Sequence, residues 1–324
     1  MTSYREAGVD LEGAERHTAS IAGPVTSTWT AEVVGNFGGF AAGVRLPDDL
    51  EDPVLMMSTD GVGTKLEIAR QFARWEGLGL DLVAMCVDDL AAAGARPLGF
   101  VDYLAVGSLQ TERDKAIVES IATACGQAGC PLLGGETAEH PGVMHVDAVD
   151  LAGAVMGVAE AGNLLGPDRV EEGDVIIGLA SPNLRSNGFS LIRSLFADDI
   201  ADHAATLLDP SVIYSPAVMK ACATGGVDAA AHITGGGLAA NLGRALPTGL
   251  GATIEMSSWE RPAVFDLIAE RGVPEEEMRQ TFNLGIGFCL VTAPHAVDAV
   301  LAATATHHPR AIGTVHPGRG VRLA

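Results

Sequence analysis

The sequence predicts an α/β protein of two domains, on three observations. Its 324 residues, 48% of them hydrophobic, are enough to bury two ordinary cores. Short apolar runs that read as strands alternate with helical patterns along most of the chain. Between the two halves the composition turns polar and charged over residues 166–173, which divides the chain into residues 1–168 and 169–324.

Charge and composition exclude several partners. The 41 acidic and 20 basic residues give a formal net charge of -21, which repels nucleic acid and anionic lipid over roughly a Debye length, ~8 Å at physiological salt. An anionic small molecule would need local positive groups or a bridging metal. No apolar run approaches the ~18 residues of a membrane span, and residues 1–17 show no apolar leader pattern. Five cysteines without a C-x-x-C pair read as reduced thiols. A soluble, cytoplasmic protein is expected, binding neither nucleic acid nor membrane.

Residues 1–50 show little helical periodicity and end in the glycine-rich run 35–40, which fits a mobile loop or a close-packed turn. Residues 54–57 read as a buried strand leading into Ser58, Thr59, Asp60, Gly61, Val62, Gly63, Thr64 and Lys65, then a helix over 66–72. Two glycines let the backbone approach a ligand and expose its N–H groups, with a carboxylate and an ammonium beside them. The order is not that of a Walker A loop, because Thr64 stands between Gly63 and Lys65. Read alone, the octapeptide fits a tight strand-to-helix turn equally well.

In residues 79–93, Leu80, Val83, Ala84, Val87 and Leu90 recur at helical spacing. Asp81 and Asp88 project in similar directions with Asp89 beside them, toward the end of a helix whose dipole disfavours negative charge, so these acids need a cation. A strand over 98–106, a helix over 111–128 with Thr111 as N-cap and a short strand over 131–133 follow. A second glycine-and-carboxylate loop starts at Gly134, Gly135 and Glu136, and a strand returns over 149–158.

The second half opens with a strand over 174–180 and a polar loop ending in the turn signal Asn187-Gly188. A helix over 189–196 follows. His232 to Gly237 places three glycines before a helix over 238–246, a phosphate-type site without G-x-G-x-x-G spacing. Strands over 252–256, 284–292 and 311–316 alternate with helices over 262–270 and 294–303. His307, His308 and His316 read as tail and surface residues.

Together these motifs resemble the aminoimidazole ribonucleotide synthetase, or phosphoribosylformylglycinamidine cyclo-ligase, family over nearly the whole chain. They are YREAGVD at 4–10, STDGVGTK at 58–65, GLDLVAMCVDDL at 79–90, GGETAEHP at 134–141, SNGFS at 186–190, HITGGG at 232–237 and TFNLGIG at 281–287. The resemblance implies an ATP- and Mg²⁺-dependent ring closure in purine biosynthesis. It also implies a homodimer, whose α+β N-terminal domain forms a mixed-sheet dimer barrel ahead of an α/β C-terminal domain. Carried onto this chain, it makes Asp60, Asp89 and Glu136 metal ligands, and Lys65 and Asp89 catalytic. Asp60, Gly61, Gly63, Lys65, Gly134, Gly135 and Glu136 would hold the nucleotide. Arg185, Ser186, Asn187, Gly188, Thr234, Gly235 and Gly236 would hold the ribonucleotide substrate. Arg185 departs from the family's usual His, residues 26–31 lack the usual basic side chains and residues 144–148 lack a usual tyrosine. The Arg185 departure leaves a nucleotide-sensing paralogue as the alternative.

Overall fold

The structure is a computed structural model and describes residues 11–324; the motif at 4–10 lies outside the described residues. Helix α1 (Leu11–Ser27) opens it, a helix that weak periodicity and an internal Pro24 conceal in the sequence. The two-residue strands β1 (Val33–Val34) and β2 (Gly43–Val44) pair across the glycine-rich run. Then follow β3 (Pro53–Gly61), α2 (Lys65–Phe72), α3 (Leu78–Ala92), β4 (Arg96–Val106), α4 (Thr111–Ala128), β5 (Leu132–Glu139) and β6 (Val149–Glu160). Thr111 is the first residue of α4 and not its cap; the cap is Gln110, whose N–H donates to Asp114 at 2.7 Å.

The first sheet has the order β3-β6-β4-β5, with β3, β4 and β5 parallel to one another and β6 antiparallel between β3 and β4. Helices α3 and α4 cover one face, where Phe100, Leu104 and Val106 are buried. The opposite face leaves Leu55, Met57, Val101 and Tyr103 exposed, Met57 by 74%. Gly134, Gly135 and Glu136 belong to β5 and not to a loop, because the strand runs on past them to Glu139 in parallel register with β4.

The second half contributes β7 (Val175–Ala180), α5 (Phe189–Leu195), α6 (Ile200–Leu207), α7 (Ser215–Cys222), β8 (Val227–His232), α8 (Gly237–Gly243), β9 (Leu250–Ile254), α9 (Ala263–Ala269), α10 (Glu275–Thr281), β10 (Ile286–Thr292), α11 (Val297–Ala303), β11 (Arg310–Pro317) and β12 (Gly320–Leu323). Its six strands order as β12-β9-β11-β7-β10-β8, and only β12 with β9 is parallel. Strand β10 is buried at every residue, which explains its unbroken apolar sequence. Helix α3 packs on both β3 and β8, so its last turn lies where the two sheets meet. Among the described residues, no helix is long and apolar enough to cross a membrane.

Candidate active site

Asp60 is the last residue but one of β3, where the Gly61 N–H donates to its Oδ1 at 2.7 Å; Gly63, at φ 69, then turns the chain into α2. Asp89, on the last turn of α3, accepts from Ser58 Oγ at 3.3 Å and from Nδ1 of His232, at the end of β8, at 2.9 Å. These groups line a cavity of about 460 Å³ that also takes in Thr234, Asn241 and Arg244. Partial burial raises the Asp60 carboxyl above its ordinary range. The Gly61 N–H and His232 oppose that rise, and the charge of Asp89 adds to it. A half-buried carboxyl beside a second carboxylate makes a site that a divalent cation relieves.

The other acids of α3 have found cations within the chain. Asp88 and Asp89 are consecutive, so they point in different directions: Asp88 is fully buried, whereas the Asp89 side chain is 45% exposed. Lys65 Nζ lies 2.8 Å from Asp81 Oδ2 and donates to the Asp209 and Arg185 carbonyls at 2.8 and 3.2 Å. Its side chain is fully buried. The expectation that Lys65 meets a phosphate therefore does not hold in this structure, since all its donors are committed inside.

Arg185 is likewise corrected from substrate ligand to buried partner. Its Nη2 donates to Asp88 Oδ2 at 2.9 Å and to His232 Nε2 at 3.0 Å, and its guanidinium lies 4.8 Å from the Tyr214 ring centre. Asp88 Oδ1 accepts the Tyr214 and Ser215 N–H groups, each at 2.8 Å. A guanidinium only donates, so His232 Nε2 is the acceptor and Nδ1 carries the proton given to Asp89. Ser58, His232 and Arg244 were not singled out from the sequence. HITGGG contained His232, but its pairing with Asp89 spans 143 positions.

Ser186, Asn187 and Gly188 share a second cleft, also about 460 Å³, with Gly63 and Thr64 of the other domain, and Thr64 Oγ1 lies 3.3 Å from Ser190 Oγ. Thr234 opens on the acidic cavity, and Gly235 sits against Asn187. Gly134, Gly135 and Glu136 line a third cavity of about 620 Å³, walled by α1 and the glycine-rich run. Within one chain Glu136 does not join Asp60 and Asp89, because β5 and β3 are opposite edges of the sheet, three strand spacings or about 14 Å apart. Among the described residues no three such side chains group as metal ligands, so within one chain Glu136 stands apart from the Asp60–Asp89 pair.

Known proteins resemble the chain in sequence and in fold. The family described as AIR synthase related protein matches through its N-terminal domain over residues 39–159 and its C-terminal domain over 171–324. A phosphoribosylformylglycinamidine cyclo-ligase of Parasynechococcus marenigrum (strain WH8102) is 43% identical over 97% of this chain and 96% of its own length. One from Sorangium cellulosum (strain So ce56) is 45% identical over 94% and 91%. Two solved structures show the same fold. The hydrogenase maturation protein HypE in complex with ATP has a TM-score of 0.69 at 18% identity, covering 98% of this chain and 94% of its own. Thiamine-monophosphate kinase from Stenotrophomonas maltophilia K279a has a TM-score of 0.66 at 20% identity, covering 98% and 96%. Matched along nearly its whole length in sequence and in both domains, the chain belongs to the phosphoribosylformylglycinamidine cyclo-ligase family.

Proposed function

We propose that the chain closes the imidazole ring of aminoimidazole ribonucleotide from formylglycinamidine ribonucleotide, consuming ATP and releasing ADP and phosphate. Identity of 43–45% with cyclo-ligases over more than nine-tenths of both chains carries this reading. The formyl oxygen attacks the γ-phosphorus and ADP leaves. The amidine nitrogen then attacks the activated carbon, a proton is lost, and phosphate departs with the former formyl oxygen. Phosphoryl transfer of this kind asks the protein for positioning and charge neutralisation.

Asp60 and Asp89 are the residues that would hold Mg²⁺, which suits one or two carboxylates completed by phosphate oxygens. The bound ion would neutralise charge developing on the phosphates. The chain's own contribution is orientation: His232 and Ser58 fix Asp89, and the Gly61 and Gly63 amides border the phosphates. Asn187, Gly188, Thr234, Gly235 and Gly236 face the ribonucleotide. Arg244, exposed at the rim of the acidic cavity, adds a cation there.

We read the molecule as a soluble cytoplasmic homodimer joined through the exposed apolar face of the first sheet. A two-fold axis running along the strands in the plane of that interface would set the β5 edge of one copy against the β3 edge of the other. The Gly134–Gly135 cavity of one copy then adjoins the acidic cleft of its partner, which suits a nucleotide with base and phosphates at different strands. The burial of Arg185 removes the motive for a non-enzymatic sensor. The test is ADP release: it is expected only with formylglycinamidine ribonucleotide present, and Asp89→Asn should lower it ~10²-fold or more. ATP binding without substrate-dependent turnover would refute the reading.

A further inference from the structure

The cavity beside β5 holds a carboxyl that the reaction does not use. Asp102 is 8% exposed and lines that cavity, and among the described residues no side chain donates a hydrogen bond to it. Its place is made by Gly135, its register partner on β5, where a Cβ would lie 2.2 Å from Asp102 Oδ1. The same cross-strand row continues through Gly153 to Asp60. A Cβ on Gly153 would meet Phe100 Cζ at 2.3 Å, so packed core separates Asp102 from the acidic cleft. The rest of the wall is largely apolar, with Ile21 and Val25 on α1 and Val118 on α4. At about 620 Å³ the space admits a nucleoside.

We propose that Asp102 selects the nucleotide base, pairing through its carboxyl with the amino and ring-nitrogen edge of adenine. This rests on the reading that Gly134 and Gly135 border the nucleotide. Adenine presents one donor beside one acceptor, and a neutral carboxylic acid presents the complementary acceptor and donor. Guanine presents two adjacent donors on the same edge, which a carboxylate matches instead.

The surroundings favour the neutral form at moderate pH. Burial pushes the Asp102 carboxyl up to about 7. Near it are His17 on α1, whose ring burial shifts downward and whose Nε2 meets Thr137 Oγ1 at 3.1 Å, and Cys125 on α4, whose thiol burial shifts upward, while Glu136 is in register with Tyr103 and so lies on the other face of β5. On β6 its register partner is Gly153.

Calorimetric binding of non-hydrolysable ATP and GTP analogues to the full chain tests the assignment. The ratio of the two affinities cancels the titration of the phosphates. Wild type should prefer ATP ~10-fold or more at pH 6, with the preference falling toward pH 8.5. Asp102→Asn, which keeps one acceptor and one donor, should hold the preference and lose its pH dependence; Asp102→Ala should lose the preference. A pH-independent ratio in wild type, or an Asn variant that no longer prefers ATP, overturns the proposal even if the Ala variant fails to fold. Failure of wild type to bind either analogue would instead overturn the nucleotide reading beneath it.

Discussion

Replacing Lys65 by Met decides whether its ammonium serves the fold or the nucleotide. In the structure the substitution strands the Asp81 carboxylate, 1% exposed, with only the Ser211 N–H and hydroxyl as donors, at 2.9 and 2.7 Å. It also takes the donor from the Asp209 and Arg185 carbonyls. Breaking one side of a buried ion pair costs about 3–5 kcal/mol. For a chain of this length that corresponds to a fall in Tm of roughly 6–10 °C, at about 2 °C per kcal/mol. Adding Asp81→Asn to Lys65→Met should recover much of the loss, since Asn keeps an acceptor for Ser211 and removes the unpaired charge. Thermal denaturation of the two single variants and the double variant measures the coupling, and steady-state kinetics gives the KM for ATP. The expected result is a large fall in Tm with the ATP KM of the folded fraction near wild type. A Tm within ~1 °C of wild type together with a tenfold rise in that KM would show the ammonium on the nucleotide.

Three other outcomes follow from the same structure. Arg185→Ala leaves Asp88 buried and His232 Nε2 without its donor, so it should cost about 3–5 kcal/mol in urea unfolding, with Arg185→Lys recovering only part because an ammonium lacks the planar guanidinium that lies against the Tyr214 ring. Asp102 has a folded-state pKa raised from 3.8 to about 7, so the folded state binds its proton more tightly and stability falls as pH rises from about 4 to 7. Asp102→Asn should therefore match wild type near pH 4 and exceed it above pH 7, by up to about 4 kcal/mol, read from urea midpoints across that range. Met57→Glu with Val101→Glu puts like charges onto the exposed sheet face, and light scattering should then report a monomer, against the dimer expected for wild type.

Much of the fold was legible because it rests on local pattern. The buried face of α3 and the limits of α4 follow from 3.6-residue spacing, and β10 reads as an unbroken apolar run. Helix α1 was not legible: its stripe is diluted by Gly13, Gly23 and Pro24, and it is held by packing on α4, a contact that no local window contains. The site divides in the same way. Asp60 and Asp89 were visible as acids near glycine or at a helix end, yet Lys65 and Arg185 were misassigned. A lysine after a glycine turn has one sequence context whether it meets a phosphate or an aspartate sixteen residues on. Only burial distinguishes the two.

The acid cluster on α3 shows how that burial serves the chemistry. Of Asp81, Asp88 and Asp89, two are neutralised by Lys65 and Arg185 and one is left at the rim. Because a guanidinium cannot accept, Arg185 obliges His232 to present its Nδ1–H to Asp89, so the carboxylate proposed for the metal is aimed by a strand of the other domain. Its orientation therefore depends on the two domains staying docked through Asp88, Arg185 and Tyr214. A histidine at position 185 could meet Asp88 or His232, but neither ring nitrogen carries two N–H donors as the Nη2 that meets both does. On this account the departure at 185 acts through His232, where a buried arginine gives a direction to the carboxylate proposed for the metal.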